Sequence, residues 1–318
     1  MPVTGVSYAH EIEENAKTFG FKSANLMFLN KTLSSFNDKS LKVEIPAFYP
    51  CAHKVILQHL NEYSPEPYGW QSQYRKFQIS FEAQKDKSAL SGKTEKILED
   101  LQLMIAQCFS EHPIETDVIL DALKVKGNED NDQTLLMVRS TGINEDKVDM
   151  ANPGGNESLL SNVKNLSASI GRVAASYVGK KSILQRLKAG DMTITEWPVF
   201  PVLIQKLAGE VPHFEKINRD NNNEYVSGVM YTHHGAVRIQ SAPGHGEYVV
   251  NSMGPTDNYY LSENAVCYSE ISPKKYRLAP EFDNSENRLN LTWVKNSTDK
   301  QYSSSLPNEI LQQCQLIA

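Results

Sequence analysis

A buried strand that ends in an arginine constrains the fold of this chain more than any other feature. The apolar run Thr134-Leu135-Leu136-Met137-Val138 has the composition of a buried strand, and Arg139-Ser140-Thr141 follows it directly. A guanidinium beside two hydroxyls suits phosphate, because the guanidinium fork can donate two parallel hydrogen bonds. An arginine after a strand can equally be a surface ion-pair partner, so the assignment depends on the residues that follow.

A glycine-containing loop comes next, through Glu145, Asp146 and Asn152-Pro153-Gly154-Gly155-Asn156-Glu157. Exposed amides in such a loop, near a helix N-terminus, can hold phosphate oxygens, although an ordinary helix-entry turn has a similar composition. Apolar residues then recur at spacings of three and four, which predicts a helix from Glu157 to about Val178-Gly179. These residues are Leu159, Val163, Leu166, Ile170, Val173 and Tyr177.

The remaining pattern predicts a helix-rich first half and a strand-rich second half, and therefore an α+β fold. The predicted helices cover residues 20–33 and 94–108, followed by a short one that reaches Lys188 before Gly190. The predicted strands cover 43–49, 198–207, 226–232, 237–241 and 247–251, and the strands at 198–207 and 226–232 are expected to form a hairpin. Residues 62–92 show only weak periodicity.

The length and charge of the chain restrict the class of protein. A chain of 318 residues that is 40% hydrophobic suits one large domain or two lobes. With 38 acidic against 32 basic residues, its net charge of -6 gives no general attraction for nucleic acid or an anionic membrane. We expect a cytoplasmic protein that binds neither, in which any anionic ligand is held by local charges.

The residues around Arg139 resemble the signature of the phosphoenolpyruvate synthase and pyruvate phosphate dikinase family. The match runs in register through Val138-Arg139-Ser140-Thr141-Gly142-Ile143-Asn144-Glu145-Asp146, Gly154-Gly155-Asn156-Glu157-Ser158 and Asn162-Val163. Gly20-Phe21-Lys22-Ser23-Ala24-Asn25-Leu26 is similar to the lysine motif near the start of the family's domain. Further similar segments are Pro201-Val202-Leu203-Ile204-Gln205-Lys206, Ser227-Gly228-Val229-Met230-Tyr231-Thr232 and Ala242-Pro243-Gly244-His245-Gly246-Glu247.

The resemblance implies an ATP-grasp architecture, in which two α+β lobes close on the nucleotide. It places the first lobe, with the phosphate-binding loops, at 1–197 and the second lobe, with the adenine-side hairpin, at 198–318. Lys22 and Arg139 are then the expected catalytic residues and contact the ATP phosphates. The other expected nucleotide contacts come from the loop residues Gly154, Gly155 and Ser158 and from the adenine-side residues Gln205, Lys206 and Leu207.

The same resemblance implies that ATP phosphorylates a histidine on a separate domain, with release of AMP and phosphate. It implies Mg²⁺ as well, with the metal ligands expected on strands beyond residue 318, so that the chain is the front portion of a longer protein. Two alternatives remain open at this point: a nucleotide-binding or interaction module that has lost catalysis, and an ATP-grasp phosphotransferase with another acceptor. Two departures from the family pattern bear on this choice, because Phe21 and Ser23 replace the glycines that flank the lysine.

Overall fold

The computed structural model describes residues 5–35, 43–125, 134–142, 156–208, 225–233, 236–262, 265–283 and 288–317. The chain divides into two compact units. The first unit comprises Met1–Phe36 and Ile45–Leu207, and the second comprises Asn37–Glu44 and Ala208–Ala318.

The first unit combines helices with one four-stranded antiparallel sheet, called the first sheet. Its helices are α1 (Gly5–Phe19), α2 (Phe21–Ser35), α3 (His53–Tyr63), α4 (Trp70–Glu82), α5 (Gly92–Glu111), α6 (Asp117–Ala122), α7 (Leu166–Ser176) and α8 (Lys180–Lys188), with a 3₁₀ helix at Met192–Thr195. Its strands are β1 (Phe48–Cys51), β2 (Leu135–Ser140), β3 (Ser158–Asn162) and β4 (Val202–Lys206). They lie in the order β1-β4-β2-β3.

Helix α5 shows how the sequence forms the core of this unit. Ser91 caps the helix, because its hydroxyl accepts a hydrogen bond from the Thr94 amide at 3.3 Å. Leu98, Leu101 and Ile105 follow at helical spacing and are fully buried. They pack in one hydrophobic cluster with residues of α3, α4 and α7 and with one face of the first sheet. One face of the first sheet is therefore fixed by the core.

The second unit is mainly β structure. Its elements are β5 (Val226–His233), β6 (Ala236–Pro243), α9 (Glu247–Val250), β7 (Asp257–Ser262), β8 (Ala265–Glu270), β9 (Tyr276–Asp283), β10 (Arg288–Lys295), α10 (Thr298–Tyr302) and α11 (Asn308–Ile317). Strands β5-β6-β7-β8 form the second sheet in chain order, and β9 pairs with β10. Val237, Ile239, Tyr259 and Leu261 pack with Leu311 of α11, which covers one face of the second sheet.

The predicted order of a helix-rich half before a strand-rich half is confirmed, and so are the helices at 20–33 and 94–108. The predicted hairpin between 198–207 and 226–232 is wrong. β4 pairs with β1 and β2, whereas β5 pairs with β6. Since Val202, Leu203 and Ile204 are fully buried, their peptide groups need partners on both edges, which a central position provides. β4 thus belongs to the first compact unit, whose second segment is Ile45–Leu207.

Three further secondary-structure predictions are wrong in part. The helix predicted from Glu157 begins only at Leu166, and Ser158–Asn162 is strand β3. Leu159 and Val163 are four residues apart, a spacing that repeats on one side of a strand as well as of a helix. The strand predicted at 247–251 is helix α9, where the adjacent residues Tyr248 and Val249 both pack into one cluster. The strand predicted at 43–49 begins only at Phe48, beyond Pro46.

Candidate functional site

Strand β2 presents Arg139 on the face of the first sheet that is opposite the hydrophobic core. Leu136 and Val138 are fully buried in that core. Because side chains alternate along a strand, Met137 and Arg139 lie on the other face, where both are half-buried. Strand β2 therefore holds Arg139 on the sheet face opposite the core and leaves its side chain partly exposed.

Two other residues predicted for the site share this face with Arg139. Ser158 of β3 lies directly opposite Arg139 in the antiparallel register. Gln205 of β4 is diagonal to it, and its Oε1 accepts a hydrogen bond from Arg139 Nη1 at 3.2 Å. The amide is neutral, so this contact orients the guanidinium without neutralising its charge. A guanidinium, a hydroxyl and an amide thus converge on one side of the sheet.

Lys22 lies in the first turn of α2, and the start of this helix contacts the segment that follows β2. The Phe21 amide donates to the Gly142 carbonyl oxygen at 3.2 Å, and the Ser23 amide donates to Thr141 Oγ1 at 3.1 Å. Gly20 precedes the helix with a φ of 77°, in the left-handed region. The structure therefore brings the lysine motif and the arginine motif together, although more than a hundred residues separate them in the sequence.

The two departures from the family pattern beside Lys22 have different surroundings. Phe21 packs against the small cluster formed by Ile12, Ala16 and Ala24, so its ring joins α2 to α1. Ser23 is fully buried, and its Oγ has no hydrogen-bond partner within the described ranges. Phe21 thus has a packing role, whereas the hydroxyl of Ser23 is a buried polar group without a visible partner.

Lys206 and Leu207 are placed differently from Gln205. The Lys206 amide donates to the Ala47 carbonyl oxygen at 2.8 Å, and the Leu207 amide donates to the Leu135 carbonyl oxygen at 2.9 Å. By strand alternation, Lys206 points to the face opposite Gln205, and its side chain is exposed. These two residues therefore extend the sheet with their amides and do not join the group around Arg139. Gly154, Gly155, Glu145 and Asp146 lie outside the described residues.

Two hydroxyls at the site, those of Thr141 and Tyr177, are buried. The sequence pattern suggests phosphate for the Thr141 hydroxyl, but in the structure this hydroxyl accepts a hydrogen bond from the Ser23 amide. Thr141 is fully buried, and its amide donates to Tyr177 Oη at 2.8 Å. Tyr177 Oη in turn donates to the Pro201 carbonyl oxygen at 2.6 Å, just before β4. The helical periodicity identifies Tyr177 only as one apolar position, and it carries no information about the hydroxyl of this residue.

The described residues do not identify ligands for the implied Mg²⁺. Within the described ranges, no group of three or more His, Cys, Asp or Glu residues is placed to hold a metal ion. His245 has a local partner, because its Nδ1 accepts a hydrogen bond from the Glu247 amide at 3.3 Å. Burial lowers the pKa of His245 below its usual value. The Mg²⁺ ligands therefore stay a prediction.

Comparison with known proteins bears on the whole chain. The family model described as pyruvate phosphate dikinase, AMP/ATP-binding domain, matches residues 17–318, and this domain has an ATP-grasp-type fold. No curated protein matches the chain. Among the described helices, none has both the length and the apolar character needed to cross a membrane.

Proposed function

Because the chain belongs to the family of the pyruvate phosphate dikinase AMP/ATP-binding domain, we propose that it binds ATP for phosphoryl transfer to a histidine on a separate domain. AMP and phosphate are the other products of this reaction, because one phosphoryl group of ATP is transferred to the histidine and the other to water. The observation that carries the proposal is the convergence of Arg139, Ser158 and Gln205 on one face of the first sheet, beside the helix that bears Lys22.

The proposed roles follow from the chemistry of these side chains. Arg139 and Lys22 bind the phosphate oxygens, the first as a planar fork and the second as a point charge. Ser158, opposite Arg139, adds a neutral donor at the same place. We further assign the amides of Gly154 and Gly155 to the phosphate oxygens. Gln205 and the neighbouring Lys206 and Leu207 are assigned to the adenine, through side-chain and backbone contacts. Charge-assisted bonds in a partly dry site contribute most of the phosphate recognition.

Isothermal titration with ATP tests the proposal directly. We expect Arg139→Ala and Lys22→Ala each to weaken ATP binding by about 10- to 100-fold, because a hydrogen bond to a charged group contributes roughly 1.5–3 kcal/mol. Their melting temperatures should stay near that of the wild type, since both side chains are only half-buried. Arg172→Ala is the matched control, because Arg172 is an exposed arginine on α7, with Nη2 4.0 Å from Glu157 Oε2.

The same titration with adenosine separates the phosphate contacts from the base contacts. Loss of Arg139 or Lys22 should leave adenosine binding unchanged, because neither side chain is assigned to the base. Gln205→Ala should weaken the binding of both ligands. If both cation variants bind ATP as tightly as the Arg172 control does, the proposed phosphate site is wrong.

A further inference from the structure

Helix α2 begins without a capping side chain of its own. The residue before the first turn of a helix often carries a side-chain oxygen that accepts a hydrogen bond from the amide of the second or third helical residue. Here that residue is Gly20, whose φ of 77° is unfavourable for other residues. A Cβ on Gly20 would also collide with the Thr141 carbonyl oxygen. A cap within the local sequence is therefore excluded by the backbone.

Thr141 supplies the missing acceptor from a distant part of the chain. Ser23 is the third residue of α2, and its amide donates to Thr141 Oγ1 at 3.1 Å. The amide of the first residue, Phe21, donates to the carbonyl oxygen of the neighbouring Gly142 at 3.2 Å. Two of the amides that every helix leaves unpaired at its start are thus satisfied by the segment that follows Arg139.

Thr141 is itself held in place by a buried tyrosine. Its amide donates to Tyr177 Oη at 2.8 Å, and Tyr177 Oη donates to the Pro201 carbonyl oxygen at 2.6 Å. Thr141 is fully buried, and Tyr177 is 8% exposed. The series of bonds therefore joins the start of α2, the end of β2, the end of α7 and the entry to β4, where Gln205 lies.

We propose that Thr141 is a positioning residue for nucleotide binding, which caps α2 from a distance and thereby holds Lys22 beside Arg139. This inference rests on the proposed function, because it explains how two cations from separate parts of the chain come to face the same phosphates. It also has a consequence of its own. Anything that binds both cations stabilises the capped start of α2, so ATP should slow amide exchange in residues 21–25.

Three substitutions test the proposal, and the affinity of each variant for ATP and for adenosine is measured by titration. Thr141→Val keeps the shape of the side chain but leaves the Ser23 amide without its acceptor, whereas Thr141→Ser keeps the hydroxyl. Thr94→Val is the matched control, because Thr94 is another fully buried threonine of the first unit. Thr94 is the third residue of α5, and its Oγ1 donates to Gln84 Oε1 at 2.8 Å. Both valine variants should melt at a lower temperature than the wild type.

Only Thr141→Val should weaken ATP binding, by about tenfold, which corresponds to ~1.4 kcal/mol. Thr141→Ser should restore most of that affinity, and adenosine binding should be unchanged in all three variants. Amide exchange at Ser23 should accelerate in Thr141→Val and not in Thr94→Val.

Tyr177→Phe provides a second variant if Thr141→Val does not fold, because it keeps the ring and removes only the hydroxyl. We expect this variant to bind ATP about threefold more weakly, since the Thr141 amide loses its hydrogen-bond acceptor.

The results that overturn the proposal are distinct from those that overturn the function. ATP affinity that is unchanged in Thr141→Val, or reduced equally in Thr94→Val, shows that Thr141 does not position Lys22. A wild-type chain that binds no ATP refutes the proposed function and, with it, the nucleotide role of Thr141. In that case amide exchange at Ser23 still decides whether Thr141 caps the helix.

Discussion

The two four-stranded sheets are assembled in opposite ways. The first sheet has the order β1-β4-β2-β3, so its neighbouring strands come from distant parts of the chain, whereas the second sheet follows the chain order β5-β6-β7-β8. Closing long loops before any contact forms costs more entropy than closing short ones. The first sheet therefore depends on the helical core around it, and the second is built from hairpin-like neighbours.

The faces that these sheets turn away from their cores differ as well. The first sheet presents Arg139, Ser158 and Gln205, which are drawn from three strands. The second presents a row of residues directly opposite one another on four successive strands, all of them exposed. This row consists of Tyr231, Arg238, Tyr260 and Tyr268. Long-range assembly thus places the polar groups of the candidate site, whereas local assembly produces a repetitive surface.

Each unit also contains a buried set of polar contacts that links several of its elements, which we call its polar join. In the first unit it is the uncharged series from Pro201 through Tyr177 and Thr141 to Ser23. In the second unit it is an ion pair between Asp257 and Lys274, both fully buried, with Oδ1 and Nζ 2.6 Å apart. A buried charge without a partner is far more costly than a buried hydroxyl without one, so the two units should respond differently to the loss of their joins.

The largest effect is expected from breaking the ion pair. Asp257→Ala leaves the Lys274 charge buried and also removes the acceptor of the Ser272 and Ser305 amides, at 3.0 and 2.8 Å. We expect the free energy of unfolding of the second unit to fall by about 3–5 kcal/mol, measured by urea titration. Lys274→Met should cost less, because the carboxylate keeps both amides.

Asp100→Ala is the control for this comparison, since the Lys96–Asp100 pair at 2.9 Å is exposed. Exposed pairs of this kind contribute little, so its unfolding curve should match that of the wild type. If Asp257→Ala also matches the wild type, the second unit does not depend on its ionic join. The expectation that the second unit loses more stability than the first when its polar join is broken would then be wrong.

Gly20→Ala is expected to have the next largest effect, in the first unit. An alanine at a left-handed φ costs roughly 1–2 kcal/mol, and displacing the Thr141 carbonyl adds about 1–3 kcal/mol. Gly190→Ala carries only the first of these two costs, because Gly190 has a similar φ of 74° but open space around the position of a Cβ. The difference between the two variants therefore gives the second cost. Urea unfolding should show the larger loss for Gly20→Ala, and only that variant should lose ATP affinity. Equal losses would mean that the contact with Thr141 has no energetic weight.

The sequence predicted the motifs of the site better than their arrangement. Arg139 at the end of a strand and Lys22 at the start of a helix follow from local patterns, and the structure confirms both elements. The pairing of β4 with β2 does not follow, because a buried apolar strand such as Val202–Lys206 carries no record of which neighbour it joins. The predicted hairpin with β5 came from adjacency in the chain, and in the structure β4 joins distant strands instead.

The roles of Thr141 and Tyr177 could not be predicted for a related reason. Hydrophobic periodicity reports which face of an element is buried but not which hydroxyl finds a partner across 118 residues, as Thr141 does with Ser23. One signal was available, since Gly20 stands where a capping residue is expected before α2.

A smaller effect is expected on the exposed row of the second sheet. The Tyr260 ring lies 5.8 Å from the Tyr268 ring, and the Arg238 guanidinium carbon lies 5.6 Å from the Tyr260 ring centre. Cross-strand and cation–π pairs at exposed sites contribute about 0.5–1 kcal/mol, so Tyr260→Ala should lower the stability of the second unit by that amount. Tyr68→Ala, at a tyrosine that is 89% exposed in the first unit, should change stability less. Equal effects would show that the row is not a stabilising network.

The smallest effect is expected at Ser23, beside Lys22. Its Oγ is buried and has no partner within the described ranges, so Ser23→Ala removes a desolvated hydroxyl and should raise the free energy of unfolding by up to about 1 kcal/mol. Ser167→Ala is the matched control, because Ser167 Oγ donates to the Phe109 carbonyl oxygen at 2.8 Å and accepts from the Ile114 amide at 2.9 Å. That variant should lose roughly 1–2 kcal/mol in the same urea titration. If Ser23→Ala instead loses as much stability as Ser167→Ala, Ser23 Oγ is not an unsatisfied hydroxyl in the folded protein.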